Sequence, residues 1–447
     1  MLKVLDSPVL MSWINMFSKL GVLLFLTPIA LSNFTPPDSA LWLVYLTLFS
    51  FILLFDMGFS PTFVRIFGYT LSGRKIIDLR QESPPIAENE CQNWIEIRGI
   101  YHFMTRVYLV LAGITILISA SIGSYLVANT INSSLESELA WQAWTFTVLF
   151  GAAALYVTCY SAFLQGMNQV ALVQRTQLLI NIVQIATTAI IMLKTYSIVY
   201  SALNYQFWMI ISGLLVRRQA HKLYKAHIFS LKDKAIEGTL RTLIIKCAWR
   251  SGIGIMLSTG VIQFIALTVA SLSSAIQTTQ YLLVLQIVRS VGAFSAVPFY
   301  SKLPLFSKLY AENNNKILFK NVSNGMRQVM LMYFIGNLIL WTMGPWLFNV
   351  IGSQVEFPSR DLLLLLILGF AIERFSAMHM QLYSLTNHII WHKINGMTGL
   401  FIVFSTFFLF NVGVSNTYFA WAIFLGNVFV FLPLAFSTSY KKFKLII

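Results

Sequence analysis

Lys19, Arg289, Glu373 and Arg374 are ionisable residues set inside long runs of hydrophobic ones. A charge at the centre of a bilayer costs from about 3 to above 10 kcal/mol, so it is rarely left facing lipid. An arginine can hold phosphate oxygens through two parallel hydrogen bonds, and a lysine offers a point charge. Three cations and one acid therefore suit an anionic, hydrated ligand in a water-filled cavity. Glu373 has two readings. It is either an ion-pair partner for Lys19 or Arg289, or a protonatable group coupled to a proton or sodium gradient. Snorkelling competes for Lys19, although about 15 Å of helix separates it from either end of its run. Arg374 is equally suited to pairing with an acid on a neighbouring helix.

The elements that carry these residues follow from composition. The chain has 447 residues, 57% hydrophobic and 11% charged, with a mean hydropathy of +0.72. Soluble domains carry roughly 25% charged residues. About 20 apolar residues cross a bilayer as helix, and twelve such runs lie near 9–31, 40–63, 101–127, 141–164, 173–193, 197–216, 250–270, 279–301, 328–350, 361–383, 394–412 and 418–438. The runs are continuous rather than alternating, which excludes a β-barrel and predicts helices whose amides pair internally. The first run is too long for a signal-peptide core and is read as a retained span. The expected fold is an all-α polytopic membrane protein of about twelve transmembrane helices in two six-helix bundles.

The formal net charge of +15 does not indicate nucleic acid, because the basic residues fall in short connections between apolar runs. With the N-terminus inside, twenty-four lysines and arginines lie on the inner side, two on the outer side and five within or at the edges of spans. Both termini are thus expected in the cytoplasm. The longest hydrophilic stretch, near Arg217–Arg250, divides the chain into a first bundle at 1–220, a basic cytoplasmic linker at 221–249 and a second bundle at 250–447. NMFSKLGVLLF at Asn15–Phe25 faintly echoes GIMLSTGVIQF at Gly254–Phe264. Two halves of like orientation would be related by a pseudo-two-fold axis along the membrane normal. Cys91, Cys159 and Cys247 are too scattered for a metal site, and no metal or cofactor is expected.

One apolar run ends unusually, in DMGFSPTFVR at Asp56–Arg65. Asp56 and Arg65 are two and a half helical turns apart, on opposite faces of a regular helix, unless Pro61 kinks it. Gly58 and Pro61 are read as a gate hinge. Asp56 is expected to pair with a basic residue elsewhere and Arg65 to stand at the cavity mouth. This stretch, with FLQGMNQVALVQR at Phe163–Arg175 and VPFYSKLPLFSKLYA at Val297–Ala311, resembles the O-antigen (Wzx-type) polysaccharide flippases of the multidrug/oligosaccharidyl-lipid/polysaccharide exporter superfamily. The resemblance implies a non-enzymatic carrier in the bacterial inner membrane. It would move a polyprenyl-diphosphate-linked oligosaccharide to the periplasmic leaflet by alternating access, among membrane lipids and in contact with polysaccharide assembly proteins. Lys19, Arg289, Arg65 and Arg374 would then meet substrate.

A membrane polymerase or glycosyltransferase is the competing class, but the outer connections are short and poor in paired carboxylates, Glu136 and Glu138 being the one close pair. A cation-coupled drug exporter of the same superfamily would favour acids over bases in its lumen. The gradient of basic residues makes a direct prediction: reporter fusions at Glu237 and after Ile447 will both report the cytoplasm, and a periplasmic signal at either reverses the orientation.

Overall fold

The computed structural model describes residues 8–71, 94–229, 236, 238–300, 302–311, 314–384, 390–410 and 416–443. Regular structure among the described residues is entirely helical, and every one of the twelve apolar runs is occupied by helix. Ten helices are long and apolar enough to cross a membrane, from Pro36–Asp56 to Thr417–Lys441. The chain is a multi-pass membrane protein. Four spans carry a π-helical turn, at Val22–Leu26, Ser119–Gly123, Met256–Gly260 and Asn427–Phe431. Such turns are rare and frequently mark functional positions. Those in the spans near 9–31 and 250–270 sit beside Gly21 and Gly260, the glycines that the Asn15–Phe25 echo aligns.

The helices form two compact units. The first comprises Met1–Asn33 with Tyr45–Ile255, and the second Phe34–Val44 with Met256–Ile447. Within the first, Ser137–Gly166 packs on Ile198–His227, Trp94–Ile118 and Phe59–Leu71, while Val170–Thr195 packs on Pro8–Gly21. Lipid tails are as apolar as leucine, so helices in a membrane associate through close approach at small residues. Gly166 is such a point: a Cβ there would come 2.5 Å from the Cβ of Phe67 and 3.0 Å from the carbonyl oxygen of Val64. Phe163 meets Phe67 edge-on at 5.2 Å. The first two quoted motif stretches are therefore packed on each other. Within the second unit, Ala275–Tyr300 packs on Asn315–Val350 and Arg360–Ser384. The third motif stretch supplies Phe299, Phe306 and Leu309 to a buried cluster with Leu318, Met326 and Met378.

The run expected as one helix over 40–63 is broken. The helix Pro36–Leu53 passes into a 3₁₀ turn at Leu54–Asp56, then Met57 and Gly58 adopt φ of 46° and 68°, and a new helix begins at Phe59. The bend lies at Met57–Gly58 and not at Pro61. Pro61 falls in the first turn of Phe59–Leu71, where amides have no intrahelical acceptor, so its missing N–H disrupts nothing. The break is held from outside: a Cβ on Gly252 would collide with the carbonyl oxygen of Met57, and its Cα and carbonyl carbon lie at 2.7 and 2.5 Å.

That contact predicts an asymmetry between two glycines. Gly252→Val will lower the detergent melting temperature, with a cost of about 1–3 kcal/mol typical of overpacking. Gly113→Ala, where a Cβ meets nothing within 4 Å, will leave it unchanged or raise it slightly. Equal melting temperatures for the two variants would dismiss the Gly252 docking.

Candidate functional site

The second unit assembles the charged set from two helices. Ala275–Tyr300 supplies Arg289, and Arg360–Ser384 supplies Glu373 and Arg374. These helices pack directly, bringing Arg289 within electrostatic reach of Glu373, Arg374 and the phenol of Tyr281. The guanidinium of Arg374 lies over Gly292, its Nη2 being 3.4 Å from where a Cβ would stand. It also lies within electrostatic reach of the phenol of Tyr300. Tyr333, from Asn315–Val350, closes the set; its hydroxyl donates to the carbonyl of Ile367 at 2.9 Å.

Glu373 and Arg374 approach at 3.9 Å, with side chains 27% and 20% exposed. That is a loose contact. Sequence neighbours on a helix point about 100° apart and do not face one another. Arg289, half-buried, makes no hydrogen bond or close ion pair among the described residues. Two guanidinium groups thus share one carboxylate, which leaves net positive charge in the middle of two membrane-spanning helices. The expected pairing of Arg374 with an acid from a neighbouring helix is replaced, among the described residues, by Glu373 of its own helix. Lys19 lies in the helix Pro8–Gly21, but its side chain lies outside the described ones.

Asp56 and Arg65 belong to the first unit and serve the helix break. Asp56 accepts the backbone N–H of Ser60 at 3.1 Å and the hydroxyl of Tyr108. A basic partner for Asp56 is not found among the described residues; neutral donors take its place. The carboxylate caps Phe59–Leu71, where orphan amides and the helix dipole favour a negative group. On that helix Phe59, Thr62, Phe63, Ile66, Phe67 and Thr70 are buried, while Pro61, Arg65 and Tyr69 form an exposed stripe. Arg65 and Asp56 do not meet. His379 is packed: it is 1% exposed, its Nδ1 lies 3.0 Å from Ser439 Oγ, and Phe375 and Phe436 flank its ring.

The uncharged polar residues of the middle spans clip helices together inside the first unit. Gln184 donates to the carbonyl of Tyr205 at 2.6 Å, Asn204 to Thr187 and Thr188, and Gln206 to Thr147. Asn15, missed in the sequence as a site residue, donates to both Gln174 and Gln177. Among the described residues no group of three or more histidines, cysteines or carboxylates is placed to hold a metal.

This architecture is similar to that of solved membrane transporters. The chain aligns with an inward-facing multidrug resistance MATE family transporter over 98% of both chains, with a TM-score of 0.68 and 11% identity. It aligns with the lipid II flippase MurJ, in an inward closed conformation, over 98% of this chain and 89% of that one, with a TM-score of 0.64 and 14% identity. An outward-facing MATE family transporter gives a TM-score of 0.65 at 12% identity, covering 99% of this chain and 97% of the other. No known family profile and no characterised protein matches by sequence alone.

The capped break yields a double-mutant prediction. Tyr108→Phe leaves a largely buried carboxylate short of a donor and will destabilise the protein by about 1–3 kcal/mol. The same change in an Asp56→Ala background will cost markedly less. Additive losses in the cycle would show that the phenol and the carboxylate are not coupled.

Proposed function

We propose that this protein is a flippase carrying a polyprenyl-diphosphate-linked oligosaccharide, of the O-antigen repeat-unit type, from the cytoplasmic to the periplasmic leaflet. The observation that carries the reading is Arg289, a mid-span guanidinium with no close acid, beside an Arg374 that shares Glu373 loosely. A diphosphate is anionic and compact, and guanidinium groups match its oxygens geometrically. Its desolvation is offset by fixed charges the protein already holds in a low-dielectric setting. The fold serves both a multidrug transporter and a lipid flippase, so it does not choose between drug and lipid. The sign of the charge supports the lipid: a cationic drug gains nothing from two arginines.

In this reading Arg65, on the exposed stripe of Phe59–Leu71, meets the headgroup at the cytoplasmic side, and Arg289 and Arg374 hold it in transit. Met57–Gly58 supplies the gate hinge that Gly58 and Pro61 were expected to form. Glu373 binds a proton or sodium ion and so changes how strongly the arginines hold the anion. The protein resides in a bacterial inner membrane with both termini in the cytoplasm and works beside polysaccharide assembly proteins.

Flipping of lipid-linked oligosaccharide in proteoliposomes tests this. Arg289→Ala will reduce the initial rate at least about tenfold, the scale of one lost charge-assisted contact, while Arg289→Lys retains part. Imposed proton or sodium gradients will alter the rate for the wild type and not for Glu373→Gln. Transport of cationic dyes with no movement of lipid-linked sugar would overturn the flippase reading.

A further inference from the structure

A second polar constellation, in the first unit, is built from neutral groups only. Asn15 and Ser18 lie on Pro8–Gly21; Gln174, Gln177 and Asn181 lie on Val170–Thr195 at spacings of three and four, one face of that helix. Asn15 is 1% exposed. Its Nδ2 gives one hydrogen to Gln174 Oε1 at 2.6 Å and one to Gln177 Oε1 at 3.1 Å. Its Oδ1 receives Asn181 Nδ2 at 2.9 Å and Ser18 Oγ at 3.3 Å. Asn181 Nδ2 also reaches Ser18 Oγ at 3.0 Å.

Asn15 is thereby saturated, and it orients both glutamines. With their oxygens turned to Asn15, the two Nε2 groups point away and find no acceptor among the described residues. Neither does the Oδ1 of Asn181 receive a donor. Gln174, Gln177 and Asn181 are half-buried, so these groups are open to a solvent or ligand. Amide groups without partners in hydrocarbon cost several kcal/mol each, which keeps that face out of contact with acyl chains. The other carboxamides of the unit behave differently. Gln184, Asn204, Gln206 and Gln219 each end on a backbone carbonyl or a threonine hydroxyl of a neighbouring helix.

We propose that Gln174, Gln177 and Asn181, set by Asn15 and Ser18, form a subsite for the hydroxyl or N-acetyl groups of a sugar. Four N–H donors and one acceptor, all uncharged, match groups that both give and take hydrogen bonds. A phosphate only accepts, so it would leave the Oδ1 of Asn181 unmatched. The subsite rests on the flippase reading and supplies what an anion site lacks, recognition of the glycan rather than of the lipid diphosphate.

Equilibrium binding to the full chain in nanodiscs tests it with two probes, bare polyprenyl diphosphate and polyprenyl diphosphate carrying one N-acetylhexosamine. The wild type will bind the sugar-bearing lipid about tenfold more tightly, the scale of two net hydrogen bonds. Gln174→Met with Gln177→Met keeps side-chain length and removes the amides. It will abolish the preference and leave the affinity for the bare lipid unchanged, while lowering the melting temperature because Asn15 loses both of its acceptors; Gln177→Met alone will halve the preference or more and serves if the double variant does not fold. A wild type that binds both lipids equally, or variants that keep the full preference, would overturn the subsite and leave the anion reading standing. Bare lipid that binds wild type and Arg289→Ala alike would instead remove the anion reading, with the subsite's preference still measurable. A wild type that binds neither lipid removes both.

Discussion

A mid-span cation with no close acid among the described residues is the constraint on which this molecule turns. A guanidinium cannot be neutralised by losing its proton, so Arg289 must find water, an acid or an anion. The helix Ala275–Tyr300 places it half-buried, within electrostatic reach of Glu373, Arg374 and the phenol of Tyr281. Phenols soften such a site without discharging it, and that of Tyr333 is already committed to a carbonyl. One carboxylate then remains for two guanidinium groups. Buried ion sets of that kind are poor stabilisers, because desolvation consumes most of the Coulombic gain. Their persistence within a membrane span points to use rather than to stability.

Asp56 shows the contrasting use of a charge. It too ends an apolar run, yet its carboxylate is met by Tyr108 and by the amide of Ser60. It caps a helix and has no need of a cation. The chain can turn sharply there because Gly58 accepts positive φ at no steric cost and because Gly252 lets a second helix approach the Met57 backbone closely. A charge with neutral donors around it fixes a conformation. A charge left with a shared partner stays available.

The twelve spans were legible because continuous apolar runs of membrane length have one solution in lipid, the helix. Arg289, Glu373 and Arg374 were legible as exceptions within those runs, and their convergence followed from helices that pack directly. The break in the second run was visible only as a Gly–Pro signal. It was assigned to Gly58 and Pro61 together, since nothing local marks Pro61 as falling in a first turn rather than mid-helix. That depends on where the new helix starts, which Asp56 and the distant Tyr108 decide together. Gln177 and Asn181 could be read from the sequence as sugar contacts or as helix clips, but their assembly with Asn15 and Gln174 could not. Asn15 and Gln174 are 159 positions apart, and glutamines in a span read equally well as helix clips until the direction of each amide is known.

The looseness of the Glu373–Arg374 contact also bears on how a carrier can work. A ligand shifts a conformational equilibrium only by its difference in affinity for the two states. Arginines locked to well-placed acids would offer an incoming anion nothing, and arginines with no acid would hold it too firmly for release. A carboxylate 3.9 Å from one guanidinium, and within reach of another, lies between these limits. Drawn toward one arginine it leaves the other free, and in the proposed coupling a bound proton or sodium ion would free both. Uncharged amides cannot be tuned in that way, because their donors are present whatever the ionisation around them. On the proposed reading, graded release belongs to the charged set and constant recognition to the neutral one.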